Sequence, residues 1–425
     1  MRPQAGKGRV GAMLLAMALQ ACAQSPSVQA ARQGSLQRLQ TAVASAGHVD
    51  ISDVKALARA VAEREIHTVG DSDPSLRLQL NGTCIESLAA PLQRRARRVD
   101  RAGDTALGLL VEHQLAGNLV SDQAWSALPR PSRLAALLWG AVVPELLLQR
   151  RRAMSNPSLD VRQAALSAAV RAPCDADLES LAEVLRHDPD GSCRELAATA
   201  LGIIGTPRAV QTLKDVWPRA DVQLRLGLVN AWARLPAFQH GGAHILVDLA
   251  QKEPGLPGVA AAATLANGAS DRAPLGRARL ARALAEGTEQ EQLMAIGAAS
   301  LTDPDHARLV LLRSRSGSRT VRVAALARRL EWPDQAGIAL AGLWRAAQGA
   351  DSAALQAREV LAEKDDPRVV ALLEGQLRSV HAATRLVAAR GLWRLGDQDG
   401  VAKALADDAP RVRLATACMV LGTDR

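Results

Sequence analysis

The sequence contains no tyrosine and one phenylalanine, Phe238, and its 425 residues carry only seven tryptophans. Platforms that stack bases or sugars need exposed aromatic rings, so little material for one is available. Trp232, Trp332 and Trp393 fall near the ends of periodic helical segments, where core is expected. Lysine is confined to positions 7, 55, 214, 252, 364 and 403, so the net charge of +9 comes from arginine. Alanine- and arginine-rich composition also follows from GC-rich coding DNA, and basicity alone does not imply a nucleic-acid partner. Long apolar runs are missing too. The stretch Leu134–Leu148 is short and is interrupted by Pro144 and Glu145, which reads as a buried helix rather than a membrane span. Alternating β-branched and aromatic runs are absent, so nothing signals strands. There is no Gly-rich phosphate cradle and no Gly-x-Ser-x-Gly elbow.

What is present begins with a tripartite leader: a basic head (Arg2, Lys7, Arg9), an apolar segment from Val10 to Leu19 too short to span a bilayer, and small residues around Ala21. This has the form of a bacterial secretory signal. Leu19-Gln20-Ala21-Cys22 resembles the lipobox of bacterial lipoproteins, with leucine three residues before the cysteine and a small residue just before it; Gln20 departs from the usual pattern. The resemblance implies lipid on Cys22, a mature chain that begins there, and attachment through acyl chains without a spanning helix. Ala21-Cys22-Ala23 also reads as an Ala-x-Ala site, and cleavage after Ala23 would release a soluble exported protein. The leader carries three positive and no negative groups, which leaves the mature chain at +6.

Self-comparison organises the rest. Cys193–Gly205 overlays Thr384–Gly396 with arginine second, Ala-Ala fifth and sixth, leucine ninth and glycine last. Looser copies start near Val161, Leu224, Pro257, Glu291, Val321, Ala353 and Val412, and successive starts are 32, 31, 33, 34, 30, 32, 31 and 28 residues apart. A period near thirty residues with tolerated slips means stacked supersecondary units. Each copy has one grammar: a helix ends at Gly or Pro, a short turn follows, and a second helix begins, as in Gly205-Thr-Pro-Arg-Ala-Val and Asp365-Asp-Pro-Arg-Val-Val. Proline in the first helical turn loses no hydrogen bond, and Thr or Asp before it can cap exposed amides. One such pair leaves an apolar face open, so stability must come from stacking.

The Val-Arg-x-x-Ala-Ala first helix and the Gly-x-Pro-Arg-Ala-Val start of the second resemble the HEAT-repeat family, in its short bacterial, phycobilisome-lyase-like variety. The resemblance covers Pro157 to Arg425; repeats at 257 and 291 lack the arginine, and Gly255-Leu-Pro-Gly258 weakens the helix start there. It implies an all-α fold, an α-solenoid of antiparallel helix pairs. Three regions are expected: the signal segment at 1–21, a helical N-terminal region at 22–155, and about eight to nine repeats over 156–425. The N-terminal region reads as degenerate repeats, or else as a cap on the solenoid's first exposed face, with Asp50 or Ser52 capping a helix at Val54. Arg162, Arg194, Arg225, Arg322, Arg385 and Arg413 recur at one repeat position, and the family resemblance assigns them to pairing with acids between repeats.

Candidate chemistry is sparse. Ser52-x-x-Lys55 has the spacing of penicillin-recognising enzymes but lacks their Ser-Asp-Asn and Lys-Thr-Gly elements, so it reads as a helix cap. His240, His244 and Asp248 could share a helical face as metal ligands, but Gly241-Gly242 disfavours helix there and a loop followed by a helix start is the better reading. Asp397-Gln-Asp399-Gly400 begins like a calcium loop and then lacks the later ligands, which makes it a turn. Beyond Cys22, Cys84, Cys174, Cys193 and Cys418 allow three full pairings in an oxidising compartment. Cys174 and Cys193 would be separated by a helix about 18 Å long, beyond disulfide reach. Cys193 occupies a slot filled by valine elsewhere and suits a buried thiol, leaving Cys84 with Cys174 as the pairing to test. Arg94, Arg95, Arg97, Arg98 and Arg101, and Arg150, Arg151 and Arg152, form basic clusters that are solvated helix faces or sites for anionic groups.

The expected function is therefore non-enzymatic: a repeat scaffold in the bacterial cell envelope that binds an unidentified protein and is held to the membrane by an N-terminal lipid. No catalytic residue, metal, cofactor, nucleic acid or small-molecule substrate is expected. Two alternatives are an accessory to a protein-modifying, lyase-like activity, which the resemblance alone suggests, and an anionic-ligand binder using the arginine clusters.

Overall fold

The structure is a computed structural model that describes residues 25–65, 82–97, 110, 144–267 and 271–422; among these residues there are helices and turns and no strand. Two compact units partition the chain. One combines Met1–Arg94 with Val370–Arg425, and the other is Arg95–Val369.

In chain order the helices are α1 (Pro26–Arg32), α2 (Leu36–Ser45), α3 (Ile51–Glu65), α4 (Gly82–Ser87) and α5 (Ala89–Ala96). The next nine are α6 (Pro144–Met154), α7 (Leu159–Arg171), α8 (Leu178–His187), α9 (Gly191–Ile204), α10 (Pro207–Val216), α11 (Val222–Trp232), α12 (Ala243–Lys252), α13 (Gly255–Ala266) and α14 (Ala273–Glu286). The chain continues through α15 (Glu289–Ala298), α16 (Pro304–Arg313), α17 (Arg319–Arg329), α18 (Ala336–Ala347) and α19 (Ser352–Glu363), and ends with α20 (Val370–Gln376), α21 (Ala382–Leu395), α22 (Gln398–Leu405) and α23 (Pro410–Leu421).

All nine repeat starts read from the sequence fall at the second or third residue of a helix, including Pro257 in α13 and Glu291 in α15, where the motif is weakest. The register has a local cause. Asp190, Asp221, Thr288, Ser318 and Asp351 each cap a first helix by accepting a hydrogen bond from the amide three residues on, satisfying one of the donors a helix start leaves open. Thr206 does the same for α10, ahead of Pro207. At the Asp365-Asp-Pro turn the expected second helix starts later, because Pro367–Val369 forms a 3-10 turn before α20.

Within the central unit, α7, α9, α11, α13, α15, α17 and α19 pack each on the next as one layer, and each is backed by a second helix in the other layer. Their shared apolar core runs without a break from Ala153 to Ala325. Small residues set the spacing: a methyl group on Gly202 would lie 2.5 Å from the Ala231 carbonyl oxygen, and one on Gly276 would lie 2.6 Å from that of Ala262. Helix α6 packs on α7 and α8 as a second helix does.

The other unit holds the larger departure from expectation. Helix α3 packs along α23 as each first helix packs on its predecessor, and α2 lies against α22. The N-terminal helices thus cover the last repeat in the chain. Helix α23 is apolar around most of its circumference, with Val412, Leu414, Ala415, Ala417, Cys418 and Val420 all buried, which a terminal helix facing water would not sustain. A disulfide joins Cys84 of α4 to Cys418 of α23 across a 4.8 Å Cα separation. The expected Cys84–Cys174 pairing is therefore replaced, and Cys174 and Cys193 are free.

Candidate interaction surface

The repeat arginines form a ladder between neighbours. Arg162 donates from Nε and Nη2 to Asp188 at 2.7 and 3.1 Å, Arg194 reaches Asp221 at 3.4 Å, and Arg225 reaches Glu253 at 2.9 Å. Arg385 forks onto Asp407 at 2.7 and 2.9 Å. Each acid lies in the segment leading to the following first helix, so every pair fixes the step from one repeat to the next. The two forked pairs hold the Arg162 and Arg385 guanidiniums above their ordinary pKa, chiefly through hydrogen bonds to the partner carboxylate. Arg413 occupies the same position in α23. Its Nε instead donates to Glu65 at 2.7 Å, with both side chains almost fully buried, and its Nη1 holds the Asp407 and Asp408 carbonyls. The N-terminal helix α3 thus supplies the acid for this rung.

Other arginines cap helix ends. Arg313 donates to the carbonyls of Leu284 and Ala285, Arg328 to that of Ala299, and Arg358 to those of Ala347 and Gly349. Carbonyls at helix C-termini lack internal partners and carry partial negative charge, so much of the arginine excess is spent inside the architecture.

Two clefts among the described residues of the central unit have polar linings. One, of about 360 Å³, lies on the layer of first helices between α9 and α11 and is lined by Glu195, Thr199, Gly227, Asn230, Ala233 and Arg234. Leu235, next in sequence, is 68% exposed. The other, of about 610 Å³, lies between α17 and α18. Residues 144–231 match the HEAT repeats family. No curated protein matches the chain.

The match spans the repeats that start at Val161 and Cys193 and the first helix of the one that starts at Leu224. It does not extend to the repeats at 321, 384 and 412, which share the helical packing of the matched segment.

The remaining candidates disperse. Arg150 is not available to an anionic ligand: it is buried, bonds to Asp177 of the following turn and donates to the Ala172 carbonyl at 3.0 Å. Arg151 lies 3.7 Å from the same carboxylate, while Arg152 is exposed. Arg94 and Arg97 are exposed at α5; the Arg95 side chain, Arg98, Arg101 and Cys22 lie outside the described residues. His240 contacts the Gly205 carbonyl at 2.8 Å and Asp248 binds Lys252, so the proposed metal face does not assemble. No group of metal-ligating side chains large enough to hold an ion occurs among the described residues. Ser52 bonds to Asp50, which caps α3 through the Asp53 amide. Asp397 caps α22, and Asp399 accepts from the Val49 amide at 2.9 Å. Burial, then Asp188 and Asp190, push the Cys193 thiol up to about 12, as suits an apolar core role. No helix among the described residues is long and apolar enough to cross a membrane.

Proposed function

We propose that the protein is a non-enzymatic HEAT-repeat scaffold of the bacterial cell envelope, tethered through lipid on Cys22, whose layer of first helices binds another protein. The observation that carries this reading is the division of labour along the repeats. Recurrent positions are consumed by capping, core and arginine rungs, and the remaining outward positions differ from repeat to repeat. A stable interface needs an apolar centre within a polar rim. The cleft bounded by Glu195, Asn230 and Arg234 supplies polar groups, and exposed Leu235 beside it supplies an apolar one. Export is supported by the leader and by the Cys84–Cys418 disulfide, a bond that persists in oxidising compartments.

The test has two arms. Mass measurement of the mature N-terminus, together with membrane fractionation of wild type and Cys22→Ser, should show an acylated Cys22 and loss of membrane association in the variant. A mature chain beginning after Ala23 would contradict the tether. Crosslinking and capture of the mature chain from envelopes should yield a partner whose recovery falls when Asn230→Arg and Leu235→Glu are introduced together. Recovery unchanged by that pair would place binding elsewhere.

A further inference from the structure

One ladder arginine is present without its acid, and it lies in the larger of these clefts. Arg322 occupies the ladder position of α17, but the acid expected to meet it, Asp351, binds Arg319 at 2.8 Å instead. Among the described residues Arg322 makes no ion pair with a carboxylate, and the same holds for Arg315, Arg329 and Arg345. All five arginines line the 610 Å³ cleft, and no acidic residue does. Their convergence follows from helix geometry: positions 319, 322 and 329 share one face of α17 at spacings of three and seven, Arg345 approaches from α18, and Arg315 comes from the turn after α16.

Arg329 shows that the cleft is charged at depth. It is only 3% exposed, yet its guanidinium rests on neutral acceptors alone: Ser314 Oγ at 2.9 Å and Gln335 Oε1 at 2.7 Å. Its Nε is buried without a partner. Burial first, and then the charge of Arg315, lower its pKa. A buried charge without a counter-charge is costly, and the other arginines add repulsion, so a bound anion would relieve both. The apolar part of the lining is Val323, Leu326 and Ile338, the last 59% exposed. Gly342 brings α18 close to that part, since a methyl group there would meet Leu326 Cδ2 at 2.9 Å.

We propose that this cleft binds a small compound carrying two phosphate groups, with an apolar portion laid against Val323, Leu326 and Ile338. Four guanidiniums lack a carboxylate, and a phosphate monoester carries about 1.5–2 negative charges at neutral pH, so two phosphates balance them. Guanidinium forks bind phosphate oxygens in pairs, and the volume lies in the range of small-molecule sites. The same chemistry occurs in soluble diphosphates and in the headgroup of a bisphosphorylated lipid.

Calorimetric titration of the full mature chain with inorganic pyrophosphate, with orthophosphate, and with vesicles carrying a bisphosphorylated lipid tests this. The comparison protein is R315Q/R322Q, which leaves the buried Arg329 in place and whose helicity and unfolding midpoint should match wild type. The expected result is saturable pyrophosphate binding, at least tenfold tighter than orthophosphate and weakened at least tenfold in the variant. Vesicle binding without pyrophosphate binding, lost in the same variant, would assign the lipid source. Absence of binding to both diphosphate probes, equal affinity for orthophosphate and pyrophosphate, or binding undiminished in the variant would each overturn the proposal.

Discussion

Replacing Glu65 by alanine should cost the N-terminal and C-terminal helices their shared unit. Arg413 and Glu65 are 5% and 2% exposed and meet at 2.7 Å, so the alanine variant leaves a buried guanidinium whose Nε has no acceptor. Removing one partner of a buried pair typically costs about 3–5 kcal/mol. The lower end applies here, because Nη1 keeps the Asp407 and Asp408 carbonyls. Glu65→Gln retains an acceptor of the same shape and loses only the counter-charge, so it should cost less than the alanine variant. The pair variant Glu65→Leu with Arg413→Met removes both charges and should recover most of the loss. Urea unfolding followed by hydrogen exchange resolved to α3 and α23 measures all three, and a double-mutant cycle isolates the coupling. A loss below about 1 kcal/mol in Glu65→Ala, or protection in α23 that ignores the substitution, would refute the claim that α3 completes the last repeat.

Three other perturbations follow from the same geometry. Reducing Cys84–Cys418, or replacing both residues by serine, frees a closure across 334 residues and should lower stability by about 2–5 kcal/mol; an unchanged urea midpoint would count against it. Gly202→Val should destabilise by about 1–3 kcal/mol through overpacking against the Ala231 carbonyl, read as a fall in melting temperature that Gly297→Val, with open space around it, does not share. The Glu291 carboxyl is held below the ordinary range first by the Thr288 amide, then by the Thr288 hydroxyl and Arg279. Its contribution is present above its unfolded pKa of about 4.3 and is lost as pH falls through the lower folded value. Wild type should therefore exceed Glu291→Gln in stability at neutral pH, and the gap should close in acid; a gap that widens in acid would reverse the assigned sign.

Much of the fold was legible because repetition multiplies weak signals. No single residue identifies a helix, yet the Arg, Ala-Ala, Leu and Gly positions that overlay Cys193–Gly205 on Thr384–Gly396 recur and fix the period, and the structure adds caps at Asp190, Asp221, Ser318 and Asp351 at one offset. The arginine ladder was readable for the same reason: Arg162, Arg194, Arg225 and Arg385 meet acids of the following segment. What repetition could not encode is a contact made once. Glu65 with Arg413 and Cys84 with Cys418 join positions 348 and 334 residues apart and have no counterpart in other repeats. One signal was available: α23 has no polar outer face, so something had to cover it. Arg150 misled because a run of three arginines looks solvated, and only the fold shows that Asp177 of the following turn buries the first. The cleft of α17 and α18 was hidden because Arg322 fits the ladder motif in sequence and departs from it only in its partner.

The scaffold reading is tested most directly by photo-crosslinking in living cells, with a photoreactive residue placed in turn at Thr199 and Asn230 on the layer of first helices and at Arg308 and Ala341 on the layer of second helices. The account predicts one discrete adduct, of the same mass and containing the same protein, from both positions of the first layer and from neither position of the second. Adducts absent from the first layer, or formed equally from both layers, would contradict it.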